Sequence, residues 1–254
     1  MCSREYPKVW NRFERTVENG RTLKFEIEDA PESLWSTVVE FMLGNYIRED
    51  VWWKTSGTAS DAEAVQEYRV LLTSFIRQKL SLACFLIDGA RSERVLVGVN
   101  ICLPQKKGHF VEHVPVKVCT QKKLVPINIP YKMCFNPKTE AGLLSLRMFT
   151  EASKVTVVYD KYDVEEYLMG AGLSVTPEYR GLGIAVELLK TRMQVSKEAG
   201  YRATAGIFTS VLGQRAADKA GFECLYQVPY EEFGKQCEIE FNTDTKFLKI
   251  YGII

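Results

Sequence analysis

Residues 173–189 read Leu-Ser-Val-Thr-Pro-Glu-Tyr-Arg-Gly-Leu-Gly-Ile-Ala-Val-Glu-Leu-Leu. An apolar, strand-like run meets Pro177, passes through Gly181 and Gly183, and enters a helix. Ile184, Leu188, Leu189, Met193 and Val195 form the apolar side of that helix, and Gly200 stops it. Small residues let backbone approach a ligand closely. Free N–H groups at the helix start, together with the positive end of its dipole, make an anion site suited to a pyrophosphate, and Arg180 adds a fixed positive charge. A P-loop would need Gly-Lys-Ser/Thr here, and a dinucleotide fingerprint would need glycine where Val186 stands. What remains is Arg180-x-x-Gly183-x-Ala185 directly after a strand.

Downstream, the pattern predicts a strand over Arg202–Phe208, a short helix over Val211–Ala220 capped by Gly221, a strand over Phe222–Val228, and a last strand over Lys246–Ile254. Upstream lie Glu166–Thr176, a strand with Gly172 marking a bulge, and Val155–Tyr159, a short strand-like run. Ala141–Ala152 has helical spacing. Leu82–Ile87 and Val95–Leu103 read as strands joined by a turn at Asp88–Ser92. A helix is expected over Asp61–Lys79, with Val65, Tyr68, Leu72, Phe75 and Ile76 on one face. Near the amino terminus, Leu23–Ile27 alternates as a half-buried strand. Ala30-Pro31-Glu32-Ser33 then starts a helix carrying Leu34, Val38, Phe41 and Met42. Strands interleaved with helices argue for an α+β (α/β) sheet with helices packed on it.

Composition narrows the options. The chain has 254 residues, 46% hydrophobic and 26% charged, which suits a globular protein and excludes a disordered one. Its net charge of +1 gives no field favouring nucleic acid or an anionic membrane. No apolar run is long enough to span a bilayer, and the amino terminus lacks a signal-peptide core. Seven scattered cysteines without a C-x-x-C pair read as reduced thiols, so a cytoplasmic protein is expected. His109 and His113 are flanked by Gly108 and Pro115, which favours a solvated loop over a metal site, and no metal is expected. Residues 104–139, rich in proline and lysine, read as a long surface excursion.

The Arg180–Ala185 pattern resembles the coenzyme A loop of the GCN5-related N-acetyltransferases. Lys219-Ala220-Gly221-Phe222 closes the short helix as that superfamily does. Residues 167–230 are more specifically similar to insect arylalkylamine N-acetyltransferase-like proteins. The likeness is carried by Leu173-Ser174-Val175, Tyr179–Ala185 and Ala217–Phe222, with Ala30-Pro31-Glu32-Ser33 upstream. The resemblance implies one acetyltransferase domain over 1–254, with an acetyl-CoA-binding core at 167–230. It also implies a mixed, mostly antiparallel central sheet flanked by helices, with a bulged strand at the coenzyme site. A small-molecule amine and acetyl-CoA would be the partners, and a monomer is expected.

Several roles follow from the resemblance. Leu173, Ser174 and Val175 would bind the pantetheine arm through main-chain groups, and the Val175 N–H would polarise the thioester carbonyl as a catalytic donor. Arg180, Gly181, Leu182, Gly183, Ile184 and Ala185 would hold the pyrophosphate. Glu32 would be the catalytic base, whereas its position alone suggests a carboxylate complementing a helix dipole. The superfamily's general acid is a Tyr where Ala217 stands, or in the insect branch a Ser where Gly213 stands, and this chain has neither. Thr209 or Ser210 could contribute a hydroxyl near the coenzyme, with helix capping the plainer role for Ser210. Trp35, Tyr46, Trp52 and Trp53 concentrate aromatic surface near the first helix, and Glu49 and Asp50 read as solvated charges at a helix end. The function expected is direct acetyl transfer to a small arylalkylamine or related amine in a ternary complex. A coenzyme A-binding protein without catalysis and a protein or peptide N-acetyltransferase are the alternatives.

Overall fold

The computed structural model describes residues 4–87, 94–107 and 137–254. The predicted turn at Asp88–Ser92, His109, His113 and most of the 104–139 excursion lie outside these residues. Eight strands form one sheet in the order β1-β2-β3-β4-β5-β6-β8-β7. They are β1 (Val9–Thr16), β2 (Thr22–Asp29), β3 (Leu82–Ile87), β4 (Val95–Lys106), β5 (Glu166–Val175), β6 (Thr204–Phe208), β7 (Glu223–Pro229) and β8 (Phe247–Ile253). Every neighbouring pair is antiparallel except β5 with β6. This is the mixed, mostly antiparallel sheet that the resemblance implies.

Helices cover both faces. On one side lie α1 (Trp35–Phe41), a π-helical turn (Met42–Tyr46), α2 (Ile47–Glu49), α3 (Val51–Ser56), α4 (Ala62–Ile76) and α5 (Glu140–Ser153). On the other lies α7 (Ile184–Glu198); α6 (Val157–Tyr162), α8 (Val211–Ala220) and α9 (Tyr230–Cys237) complete the set. Strand alternation feeds both layers. Ala83 and Phe85 of β3 join Val38, Met42 and Leu72, whereas Leu82, Cys84 and Leu86 join Ile184 and Leu188. Each fully buried Leu or Ile there contributes about 1.5–3 kcal/mol.

Two readings of the sequence are corrected, and two elements were missed. Val155–Tyr159 is not a strand: Val158, Tyr159 and Tyr162 are buried on one side of α6, and a short apolar run does not distinguish the two periods. The 104–139 excursion begins later, because β4 runs through Pro104 to Lys106. The Cys102 N–H points toward β3, donating to Ser81 Oγ, so the position of Pro104, two residues on, has its missing N–H on the side where β3 has already ended. Strand β1 and helix α9 have no counterpart in the sequence reading. No helix among the described residues is long and apolar enough to cross a membrane.

Candidate functional site

The parallel seam between β5 and β6 holds only across Leu168–Gly170 and Thr204–Gly206. Beyond it the strands part and leave a fork. In the pairing of β4 with β5, Cys102 faces Gly170 and Ile101 faces Gly172, so Ala171 is the extra residue of a bulge. The bulge resets which edge each N–H faces. Before it, the Leu168 N–H donates to Ala203 O on the β6 side; after it, the Thr176 N–H donates to Val97 O on the β4 side. Alternation then turns the N–H groups of Leu173 and Val175 into the fork. Asn100 Nδ2 holds the bulge by donating to Gly172 O at 2.8 Å. A Cβ at Gly172 would meet Met42 Cε at 2.8 Å, so glycine there lets the π-helical turn lie on β5.

At the fork's open end the chain passes Pro177–Tyr179 into Gly181 (φ 80°) and Gly183 (φ 78°), the N-cap of α7, which has no side-chain cap. The left-handed backbone at both glycines turns the chain so that the first N–H groups of α7 face outward. Arg15 of β1 anchors this loop, donating from Nε to Leu182 O (2.9 Å) and from Nη2 to Glu187 Oε1 (3.1 Å). Arg180 does not extend into solvent as a free anion ligand. Its Nε donates to Val175 O (3.0 Å) and its guanidinium pairs with Glu49, tying the loop to the end of α2.

The other wall carries a carboxylate that the sequence reading left in solvent. Asp50 is buried, with Oδ1 accepting from the Trp52 N–H (2.9 Å) as the N-cap of α3 and Oδ2 accepting from the Thr209 hydroxyl. Thr209 directly follows β6, and its carbonyl accepts from the Tyr230 hydroxyl at 2.8 Å. Burial pushes the Asp50 acid up to about 6, with the Thr209 and backbone hydrogen bonds partly offsetting it. Tyr46, whose ring lies 3.5 Å from where a Gly172 Cβ would stand, covers the bulge close to Asp50. Trp52 stacks on Phe233, and Trp53 lies 4.0 Å from the Tyr68 ring, so the two residues after Val51 are held in apolar packing next to the acid.

Glu32 is not brought to the fork. It lies in the 3₁₀ turn before α1 with its side chain 55% exposed, and pairs with Lys79 at 2.5 Å. Across the sheet, Asp29 faces Leu82, which faces Asn100, so β2 is three strand spacings, roughly 14 Å, from β5. The helical run from Trp35 to Glu49 leads away from Glu32 and delivers Asp50 to the fork instead. Trp35 also stays at the β2 end, donating to Ala30 O at 2.9 Å. Ser210 caps α8, accepting from the Gly213 N–H, while Ala217 is buried among the residues packed on α7. The sequence signal for Asp50 was an acid set directly against Val51-Trp52-Trp53, an apolar run with nowhere solvated to go.

No family model matches the chain. Among solved structures, it is similar over its full length to the Aedes aegypti protein assigned as arylalkylamine N-acetyltransferase 7 (TM-score 0.80, 23% identity, covering 97% of that chain). A mosquito arylalkylamine N-acetyltransferase like 5b matches 90% of this chain and 99% of its own (TM-score 0.68, 22% identity). The Drosophila melanogaster polyamine N-acetyltransferase matches 96% and 99% (TM-score 0.61, 15% identity). The fold is that of the GCN5-related N-acetyltransferases.

Proposed function

We propose that the chain, read as one acetyltransferase domain over 1–254 with residues 167–230 as its coenzyme core, transfers an acetyl group from acetyl-CoA to the primary amine of a small arylalkylamine or related amine. The observation that carries this reading is the fork. A glycine loop suited to a pyrophosphate opens onto a bulged strand with two inward N–H groups, and a buried carboxylate stands at its side. The likeness of fold to arylalkylamine and polyamine N-acetyltransferases supports it.

In this reading the N–H groups over Gly181–Ala185 hold the pyrophosphate, and main-chain groups of Leu173, Ser174 and Val175 hold the pantetheine arm. Arg180 acts by fixing the loop to Val175 and Glu49 rather than by an isolated charge. The Leu173 and Val175 N–H groups meet the thioester oxygen, where negative charge develops. An alkylammonium with a pKa of about 10.4 is free base in only about one part in 2,500 at pH 7, so a base is needed. Asp50 takes this role in place of Glu32. The ammonium proton passes through the Thr209 hydroxyl to Asp50. The nitrogen then forms its bond to the carbonyl carbon, the C–S bond breaks with its electron pair leaving on sulfur, and the second proton of the nitrogen is lost to water. Neither Gly213 nor Ala217 offers a hydroxyl, and the thiolate leaves on its own acidity, since its parent thiol has a pKa of about 8.5. The Tyr46 ring over the bulge gives an aryl acceptor a face to pack on.

Acetyl-CoA turnover, read by thiol release against aryl, alkyl and polyamine acceptors, tests the reading. Turnover is expected with at least one arylalkylamine. Coenzyme binding in calorimetry with no turnover on any acceptor would leave a binding protein, and absence of coenzyme binding would overturn the whole assignment.

A further inference from the structure

Arg192 lies on the inner side of α7, two turns beyond Ile184, and is 2% exposed. It is the largest fully buried side chain among the described residues. Its Nε and Nη2 have no hydrogen-bond partner among those residues, and no carboxylate there pairs with it. Its guanidinium lies over the Phe222 ring at 5.1 Å. Burying a guanidinium without a carboxylate partner costs stability, and the Phe222 ring offsets part of that cost.

The sheet is shaped to admit this side chain. A Cβ at Gly170 would collide with Arg192 Nη1, and one at Gly206 would stand 3.7 Å from the same atom. These two glycines are paired with each other and are the last pair before β5 and β6 part. The guanidinium therefore lies against the closed end of the fork. Along α7, Arg192 is nine residues from the Gly183 cap, about 13 Å. An extended pantetheine arm is comparable, about four residue lengths or roughly 14 Å. A coenzyme whose pyrophosphate sits on the α7 start thus brings its sulfur to the depth of Arg192.

We propose that Arg192 supplies the positive charge that stabilises the coenzyme thiolate at the closed end of the fork. The inference rests on the acetyl-CoA reading above. When the C–S bond breaks, the electron pair collects on sulfur beside a guanidinium that is itself buried, and a charge a few ångströms away acts there with less screening than in water. No hydroxyl stands at Gly213 or Ala217 to protonate that sulfur, and a fixed cation meets the same need without a proton. The titratable groups facing Arg192 are Cys102 of β4 and Tyr167 of β5. Burial pushes the Cys102 thiol up to about 12 and the Tyr167 phenol well above its ordinary range, so both stay neutral through neutral and mildly alkaline pH.

Calorimetric titration with coenzyme A and with desulfo-coenzyme A, which lacks the sulfur, tests this from pH 6.5 to 9.5 without any turnover. If Arg192 lowers the thiol pKa by about one unit, the affinity for coenzyme A relative to the desulfo form rises about tenfold across that range. Arg192→Met should abolish the rise while leaving desulfo-coenzyme A affinity unchanged, and Arg192→Lys should retain part of it. If Arg192→Met does not fold, Arg192→Gln carries the neutral arm. A wild-type protein that binds both ligands with no pH-dependent difference overturns the role of Arg192 and leaves the coenzyme reading standing. So does a neutral variant that keeps the full rise. Failure of both ligands to bind the wild type overturns the two together.

Discussion

The two edges of β5 are treated differently. Toward β4 it pairs from Lys106↔Glu166 to Gly98↔Val175, with one bulge; toward β6 it pairs only from Leu168 to Gly170. The fully paired edge belongs to a half of the sheet whose polar groups are occupied in holding strands together. The half-paired edge releases main-chain donors, and Asp50, Arg192, the left-handed Gly181 and Gly183 and the π-helical turn lie along it. Chemistry is expected to follow the unpaired edge. A substitution should matter in proportion to its closeness to the fork rather than to its charge or its place in a motif.

Asp50→Asn gives the largest effect and the sharpest test. Loss of a general base is worth about 10²–10⁴-fold in turnover. The wild-type kcat/KM should rise with pH through about 6 as Asp50 ionises, and the variant should lack that limb. Stability moves the other way. Because the folded acid titrates near 6 rather than at its ordinary 3.8, its contribution is fully present below pH 3.8 and lost as pH rises through 6. The Asn variant should therefore be more stable than wild type at pH 7, by up to about 3 kcal/mol, and lose that advantage near pH 4. A variant that keeps normal turnover would place the base elsewhere.

Gly183→Val comes next. At φ 78° a β-branched residue is strained by about 1–3 kcal/mol, which should weaken coenzyme A binding roughly tenfold to a hundredfold in calorimetry. Unchanged affinity would separate the loop from the anion. Arg15→Met tests whether the far edge of the sheet reaches the fork. It removes the donors to Leu182 O and Glu187, and affinity should fall about two- to tenfold. Glu32→Gln is the smallest. On the paired side it should change turnover by less than about twofold and stability by at most about 1 kcal/mol, the loss of an exposed pair with Lys79. A large loss of turnover here would break the distinction between the two edges.

The same division governs what could be read from the sequence. The span from Gly183 to Gly221 was legible because its signals are local: glycines at the helix cap and the helix ends, and apolar spacing within single helices. Predicted and observed bounds coincide for α8 and for β3. Strand β1 was missed because it is an edge strand with no fully buried side chain, so its alternation of apolar and charged residues is weak. Asp50 was read as solvated because what buries it comes from far along the chain. Thr209 is 159 residues away, and Phe233 and Tyr230 lie farther still. Arg192 stands three or four residues from Leu188, Leu189 and Val195, on the apolar side of α7, and the sequence reading did not single it out. Its burial and the pairing of Gly170 with Gly206 beneath it show that it faces inward. Glu32 carried the motif and not the environment.

Ala171, the one surplus residue of β5, has a consequence for how such a protein can diverge. Because the bulge presents the donors of the fork as backbone, recognition of the acyl donor there does not depend on which side chains occupy positions 173 and 175. Those positions can take any side chain that still packs in the core, where Val175 is buried and Leu173 packs against it, so long as the strand keeps its length. In the proposed reading the acceptor side is built from side chains on the helices over the sheet, such as Tyr46, and each replacement there alters the surface an acceptor meets. In that reading one half of the site is thus inherited as a count of residues and the other as their identities, so a lineage could change the amine it accepts without disturbing the donor it uses.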